Sequence, residues 1–457
     1  NTERSLHLAR QIRRRSPGTL IVVGGPEVEP DNAFLLRQDG IDVAVRGEAE
    51  EVFPEILRRL SADEEIEGTP GTAVRTSGSL GEFVSSAPAA FPLRRYPSPY
   101  LAGILPVKPE RSAYVEMARG CASRCEFCYY SRGDAMVRRL DVKSAAALCG
   151  QLRDAGARGL VLLDPSFNQR PDFRELLEAL AAANRDKGVS LFAEIRAEGL
   201  TESDLDLMAR AGFTDVEIGL QSVNRETLRR IKRGGDADQV AAVACGLKRR
   251  GIEPRVDLIV GLPGDAARDV LDGVEFMAGK GLADNVQVMP LSVLPGTALR
   301  QKAGEYGLVF DEAPPYRIIR TAELAEEEIA ETMRKAEDLL DRRLDEYPRP
   351  HLVSVHQAGA PPDAFHVELD GDENEAVKGV LRPGASHVAL WMDGADLFGR
   401  RAAIRRAIEA RMSVDPHSTL DVVLVAREPF PLDLVDVVKD VLQRGPPTYW
   451  TRQLAWR

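Results

Sequence analysis

The chain has 457 residues, 44% hydrophobic and 29% charged, an ordinary balance for a globular protein with room for two or three domains. A formal charge of −11 weighs against a nucleic-acid partner, and no apolar run approaches the roughly 18 residues of a membrane span, so a small-molecule substrate is expected. Five cysteines, three of them within eight residues, are no disulfide framework; they point to a reducing, cytoplasmic compartment and a metal site.

The opening residues NTERSLHLAR lack the apolar stretch of a secretory signal. Residues 1–65 read as the C-terminal half of an open, doubly wound α/β domain. A helix over Arg4–Arg15 leads to the strand Leu20–Gly24, which stops at Gly24-Gly25-Pro26. A second helix precedes the strand Asp42–Arg46, and Gly47-Glu48-Ala49-Glu50 opens a further helix through Leu60. Arg13, Arg14 and Arg15 read as one solvated helix face, and His7 as a solvated helix residue. Two strands cannot close such a sheet, and the chain begins at Asn1 without a methionine, so earlier strands are expected outside this sequence. Residues 66–112 read as a linker rich in Pro, Gly and Ser, with room for one hairpin, passing through Pro88, Pro92, Pro97 and Pro99.

Residues 113–346 become regular. Strands are predicted at Tyr114–Met117, Leu160–Leu163, Ser190–Glu194, Asp215–Gly219, Val256–Gly261 and Val286–Pro290, with amphipathic helices between them such as Asp172–Arg185 and Glu202–Ala211. Six such units make about three quarters of a β/α barrel, a partial (β/α)6 TIM-like fold with its reactive residues at the C-terminal strand ends. A Glu- and Lys-rich helix, Glu323–Glu346, follows and is stopped by Pro348-Arg-Pro350. Residues 347–457 read as a small C-terminal α/β region with strands near Val388–Trp391 and Leu420–Val425 and no readable chemistry. Between His7 and His351 there is no histidine, so the middle of the chain cannot use a His base, triad or His metal ligand.

Directly after the first barrel strand comes Gly120-Cys-Ala-Ser-Arg-Cys-Glu-Phe-Cys128, a CxxxCxxC spacing. Thiolates are soft ligands for iron–sulfur clusters or zinc. Three cysteines on a 4Fe–4S cluster leave one iron open to chelation by an amino acid's amine and carboxylate. A structural zinc site wants four closed ligands, and no second cysteine pair exists; Cys149 and Cys245 fall in helical patterns as core residues. The spacing, with Phe127 before the third cysteine, resembles the radical S-adenosylmethionine superfamily. That resemblance implies Cys121, Cys125 and Cys128 as cluster ligands and an external electron donor such as flavodoxin or ferredoxin.

Further stretches, Ala193-Glu-Ile-Arg196, Glu217-Ile-Gly-Leu-Gln221, Lys232-Arg-Gly234 and Asp257-Leu-Ile-Val-Gly-Leu-Pro263, are similar to strand-end motifs of oxygen-independent coproporphyrinogen oxidase and its relatives. The similarity implies that Glu194, Gln221, Arg233 and Asp257 surround S-adenosylmethionine. Glu194 can bridge ribose hydroxyls and Arg233 can pair bidentately with the methionine carboxylate. Where that family has a glycine-rich turn, this chain reads Asp164-Pro-Ser-Phe-Asn168, so Asp164 is expected to meet the ammonium directly. The sixth strand ends in Leu291-Ser-Val-Leu-Pro-Gly-Thr297, whose backbone near Leu294 is expected to read adenine.

The order Gly24-Gly25-Pro26-Glu27, then Arg46-Gly47-Glu48-Ala49-Glu50, then a linker and the cysteines resembles the cobalamin-binding class of radical S-adenosylmethionine enzymes. Gly24, Gly25, Gly47 and Glu48 are then expected against cobalamin, with the glycines letting the nucleotide tail approach the backbone. The DxHxxG loop that can supply a histidine to cobalt is not among these residues. The resemblance implies C-methylation of an unactivated carbon by a deoxyadenosyl radical. The alternatives are a radical oxidoreductase or rearrangement enzyme without functional cobalamin, and, from another class, a zinc-stabilised binding module.

Overall fold

All six barrel strands predicted above pair edge to edge in one parallel sheet, in chain order. The computed structural model describes residues 2–75, 80, 83, 92–131, 137–344, 364–381, 387–427, 431 and 433–444. A small N-terminal sheet holds β1 (Val22–Gly24), β2 (Val43–Val45) and β3 (Thr72–Val74). β1 and β2 are parallel, whereas β3 returns antiparallel on β2 from within the stretch expected as linker. The helix after β2 runs over Val52–Ser61 instead of opening at Gly47, because Gly47 has φ +78°, a left-handed conformation that cannot enter a right-handed helix.

The barrel begins with β4 (Ala113–Val115), and a two-residue ribbon of β5 (Ala118–Arg119) and β6 (Arg138–Arg139) closes the loop that carries the cysteines. The remaining barrel strands are β7 (Gly159–Leu162), β8 (Ser190–Ile195), β9 (Phe213–Gln221), β10 (Glu253–Val260) and β11 (Val286–Pro290). The sheet order is β4-β7-β8-β9-β10-β11 with every neighbour parallel. Sequential order with a helical crossover each time curls a parallel sheet into part of a barrel. Helix starts are set by polar caps: Asp141 accepts from Ser144 N–H, and Thr201 with Asp204 forms a reciprocal capping box. Val216, Ile218, Val256, Leu258 and Val286 face the helices and are fully buried. The alternate positions Glu194 on β8, Glu217, Gly219 and Gln221 on β9, Asp257 on β10 and Gln287 on β11 turn to the lumen.

Past the barrel, β12 (Val309–Phe310) and β13 (Ile318–Arg320) form a short antiparallel ribbon. The helix expected at Glu323–Glu346 covers Glu326–Leu340 and is ended by Asp341 in a left-handed conformation; the expected Pro348–Pro350 stop lies outside the described residues. The C-terminal region is a parallel sheet of β14 (Phe365–Glu368), β15 (His387–Gly394) and β16 (Thr419–Ala426) with its own apolar core. Its helix Arg401–Val414 meets the N-terminal helix Thr2–Arg15, where Arg4 pairs with Asp415 at 3.1 Å. His7, expected in solvent, is buried there: its Nε2 hydrogen-bonds the Val414 carbonyl at 2.9 Å and its ring stacks edge-on to His417. The Arg13 side chain is likewise committed, to Asp42 and to the carbonyls of Pro17 and Thr19. Among the described residues no helix is long and apolar enough to cross a membrane.

Candidate active site

The cysteine loop leaves the barrel at the C-terminal end of β4. Asp164, at the end of β7, pins this exit by accepting the N–H groups of Met117 and Ala118 on one oxygen, at 2.8 and 3.0 Å. Gly120 takes φ +91° immediately before Cys121, turning the chain back over the strand ends. Cys121 Sγ lies 3.6 Å from Ser166 Oγ, in a small cleft lined by Gly120, Cys121, Asp164, Ser166 and Phe167. Cys125 is buried between two arginines, with the guanidiniums of Arg196 and Arg233 both within hydrogen-bonding reach of its sulfur. Burial pushes the Cys128 thiol up to about 11, and the neighbouring Cys125, Cys121 and Glu194 add to the rise. The three sulfurs therefore share one field near Glu194. Among the described residues no three His, Cys, Asp or Glu side chains lie close enough to grip a single ion. A cubane cluster instead takes its thiolates on three different irons and needs a wider spread.

Around this loop the side chains expected at the adenosyl donor lie at successive strand ends. Asp164 is buried, its second carboxylate oxygen has no partner, and burial raises its carboxyl to about 6. Gln221 adopts φ +70° and folds back over Gly219, leaving its Oε1 buried without a hydrogen bond. Arg233 donates to the Gly219 carbonyl, while its Nε is buried and unpartnered. Three of the six expected contacts thus carry an orphaned polar atom, which a polar ligand would satisfy. Glu194 stands beside Glu217 in the β8–β9 register, and burial followed by that neighbour lifts its carboxyl to about 7. Asp257 accepts from Gln287 Nε2 at 3.2 Å, and its carboxyl is raised by burial and then by Glu217. Leu294 is placed on the loop after β11, but its carbonyl already accepts the Thr297 hydroxyl at 2.7 Å.

The expected cobalamin contacts lie at the C-terminal ends of β1 and β2. Gly25 and Gly47 have φ of +114° and +78°, and a Cβ on either would meet nothing within 4 Å, so the backbone is open to approach. Gly24 packs against Val45. Glu48, also expected as a cofactor contact, faces two barrel-side arginines. Its carboxylate is held by Arg138 and by Arg119, the latter at 3.0 Å. Burial opposes ionisation there, but the two guanidiniums keep the carboxyl below the usual range. Arg119 also reaches Glu50 and Glu116, at 2.9 and 2.7 Å, so the residue that leads into the cysteine loop is bound to the N-terminal sheet. On the opposite flank Tyr316, buried from the barrel side, hydrogen-bonds Glu27 and Asn32, and Asp31 accepts the Gly296 N–H at 2.9 Å.

Four residues near the site were missed in the sequence reading: Glu126, Arg196, Glu217 and Tyr130. Glu217 and Arg196 lie inside the quoted strand-end motifs, and the period-2 alternation of Glu217 with Gly219 and Gln221 would have placed it in the lumen. Tyr130 is pushed up to about 12 by burial and the Glu194 charge. No local pattern marks Glu126 or Tyr130.

The comparisons with known proteins agree with this arrangement. The sequence model described as Radical SAM superfamily matches residues 115–277, and the B12 binding domain matches residues 1–57. The 2-(S-pantetheinyl)-carbapenam-3-carboxylate methyltransferase of Streptantibioticus cattleyicolor is 28% identical over 332 residues, 67% of this chain and 48% of that protein. The cobalamin-dependent radical SAM methyltransferase TokK of Streptomyces tokunonensis is 27% identical over 330 residues, with the same coverage. The chain thus spans about half the length of these curated relatives. Among solved structures, the radical S-adenosylmethionine methyltransferase TsrM of Kitasatospora setae, with cobalamin and a [4Fe-4S] cluster bound, superposes with a TM-score of 0.53 at 19% identity, over 70% of this chain and 67% of that one. The CxxxCxxC loop at the mouth of a six-stranded parallel barrel thus belongs to a radical SAM domain, matched over residues 115–277, that follows a B12 binding domain, matched over residues 1–57.

Proposed function

We propose that the chain catalyses cobalamin-dependent C-methylation of an unactivated carbon in a small-molecule substrate. In this reading it works in the cytoplasm and takes electrons from a flavodoxin or ferredoxin. Residues 1–65, with β3 from the next stretch, serve cobalamin, the rest of 66–112 links, 113–346 carry the radical chemistry, and 347–457 form the small C-terminal α/β region. When bound, the cluster and S-adenosylmethionine supply a deoxyadenosyl radical, and cobalamin supplies a transferable methyl group.

The protein's part is to bind, orient and exclude water. Cys121, Cys125 and Cys128 would hold the cluster and leave one iron for the adenosyl donor. The unpartnered Asp164 oxygen suits an ammonium, and Arg233 Nε suits a carboxylate. Glu194, Gln221 and Asp257 offer acceptors to ribose and adenine along the lumen, with Leu294 on the adenine side. Gly25 and Gly47 offer open backbone to the cobalamin tail, beside Gly24 at the strand end, with Glu48 holding that edge to the barrel.

The observation that carries this reading is the coincidence of orphaned atoms on Asp164, Gln221 and Arg233 around the cysteine loop. Anaerobic reconstitution tests it. The chain is expected to take up about four irons and four sulfides, to show corrinoid absorbance, and to convert S-adenosylmethionine to 5′-deoxyadenosine. Cys125→Ala should abolish deoxyadenosine while leaving the protein folded. Deoxyadenosine production by that variant would defeat the assignment, as would one zinc in place of iron and sulfide.

A further inference from the structure

Glu126 sits between Cys125 and Cys128 and is 1% exposed, although a lone carboxylate is costly to bury. Its burial is compensated from two directions. Lys302 and Lys232 both reach its Oε1, at 2.6 and 3.0 Å, and the Tyr306 hydroxyl donates to Oε2 at 3.0 Å. The backbone of the same residue is engaged as well: its N–H donates to the Ile231 carbonyl, and its carbonyl accepts the Leu299 N–H, each at 2.9 Å. Five bonds thus tie one residue of the cysteine loop to the Ile231–Arg233 turn and to the 299–306 segment that follows the Leu294 loop.

From these bonds we infer that Glu126 is a positioning residue. It fixes the cysteine loop against the turn that presents Arg233 and against the adenine-side segment, and so sets the spacing between the cluster ligands and the group that receives the donor's carboxylate. This rests on the proposed function, because the spacing matters only if cluster and S-adenosylmethionine meet there. Two consequences follow. Loosening the tether lets Arg233 and the open iron fall out of step, which weakens donor binding. Removing the buried negative charge leaves two ammonium groups behind the loop, which favours the more negative, reduced cluster.

The test uses Glu126→Gln, Lys302→Met and the double variant, each reconstituted beside the wild-type chain. Glu126→Gln should retain iron and sulfide yet raise the Kd for S-adenosylmethionine roughly tenfold, as expected for the loss of charge-assisted bonds. It should also shift the cluster's midpoint potential upward and shrink the change in its electron paramagnetic resonance signal on adding S-adenosylmethionine. The double variant should lose less than the two single losses together, since both act through one pair. If Glu126→Gln fails to load iron, Tyr306→Phe is read instead and should raise the same Kd roughly threefold. Unchanged affinity, potential and spectrum, or strict additivity, would overturn the positioning role while a wild type that cleaves S-adenosylmethionine keeps the functional reading intact. A wild type that binds neither iron nor S-adenosylmethionine would sink both.

Discussion

Glu194, Glu217 and Asp257 lie side by side on the adjacent strands β8, β9 and β10, and burial with mutual repulsion raises Glu194 to about 7 and Asp257 above its usual range. A carboxyl held above its unfolded value binds its proton more tightly in the native state. Its contribution to stability is therefore full near the ordinary carboxylate range and is lost as pH rises through about 7. Without cofactors, Glu194→Gln should melt roughly 2 °C above the parent at a pH of about 8, with the difference vanishing near pH 5. A difference that is the same at both ends of a calorimetric pH series would contradict this account. Arg233 acts through geometry more than titration. Arg233→Ala is expected to weaken S-adenosylmethionine binding about tenfold or more, and Arg233→Lys should not restore it, since an ammonium lacks the planar fork. Equilibrium titration of the reconstituted variants checks both.

Strand β9 shows how an element hands residues to the site. Gly219 must lack a side chain, because a methyl there would collide with the Gln221 amide folded over it and come within 3.3 Å of the Arg233 guanidinium. Gly219→Ala should therefore disturb two expected donor contacts at once, at a stability cost of about 1–3 kcal/mol. Circular dichroism is expected to stay native while donor affinity falls; native affinity would show that Gln221 and Arg233 do not need this packing. The six barrel strands were legible in the sequence because their helix-facing positions are apolar at every second residue and amphipathic helix patterns lie between them, and the cysteine spacing was legible because its ligands are local. The partners of Glu48 and Glu126 were not, since Arg138 lies 90 residues from the first and Tyr306 lies 180 from the second. Such pairs depend on how the barrel curls. β14 escaped notice because a four-residue alternation, Phe365–Glu368, is too short to stand out from loop.

At the scale of the whole molecule, polar contacts on two sides hold the N-terminal sheet to the barrel: Glu48 with Arg119 and Arg138 on one, and Tyr316 with Glu27 and Asn32, beside Asp31 with the Gly296 N–H, on the other. The second is the more buried, so its loss should cost more. Tyr316→Phe leaves the buried Asn32 amide and the half-buried Glu27 carboxylate without their shared hydroxyl, an expected loss of about 1–3 kcal/mol. Hydrogen exchange should then quicken around residues 26–36 while the barrel strands keep their protection. Unaltered exchange in that stretch would show that the sheet is held by other contacts.

The meeting of His7 and Arg4 with Val414 and Asp415 has an architectural consequence. The helix Thr2–Arg15 is buckled onto the end of the helix Arg401–Val414, so two units that the barrel separates in sequence are fastened directly to each other. Excising the final region would unbuckle the first. The handling of a corrinoid would then suffer from the removal of residues far along the chain from any expected to touch it.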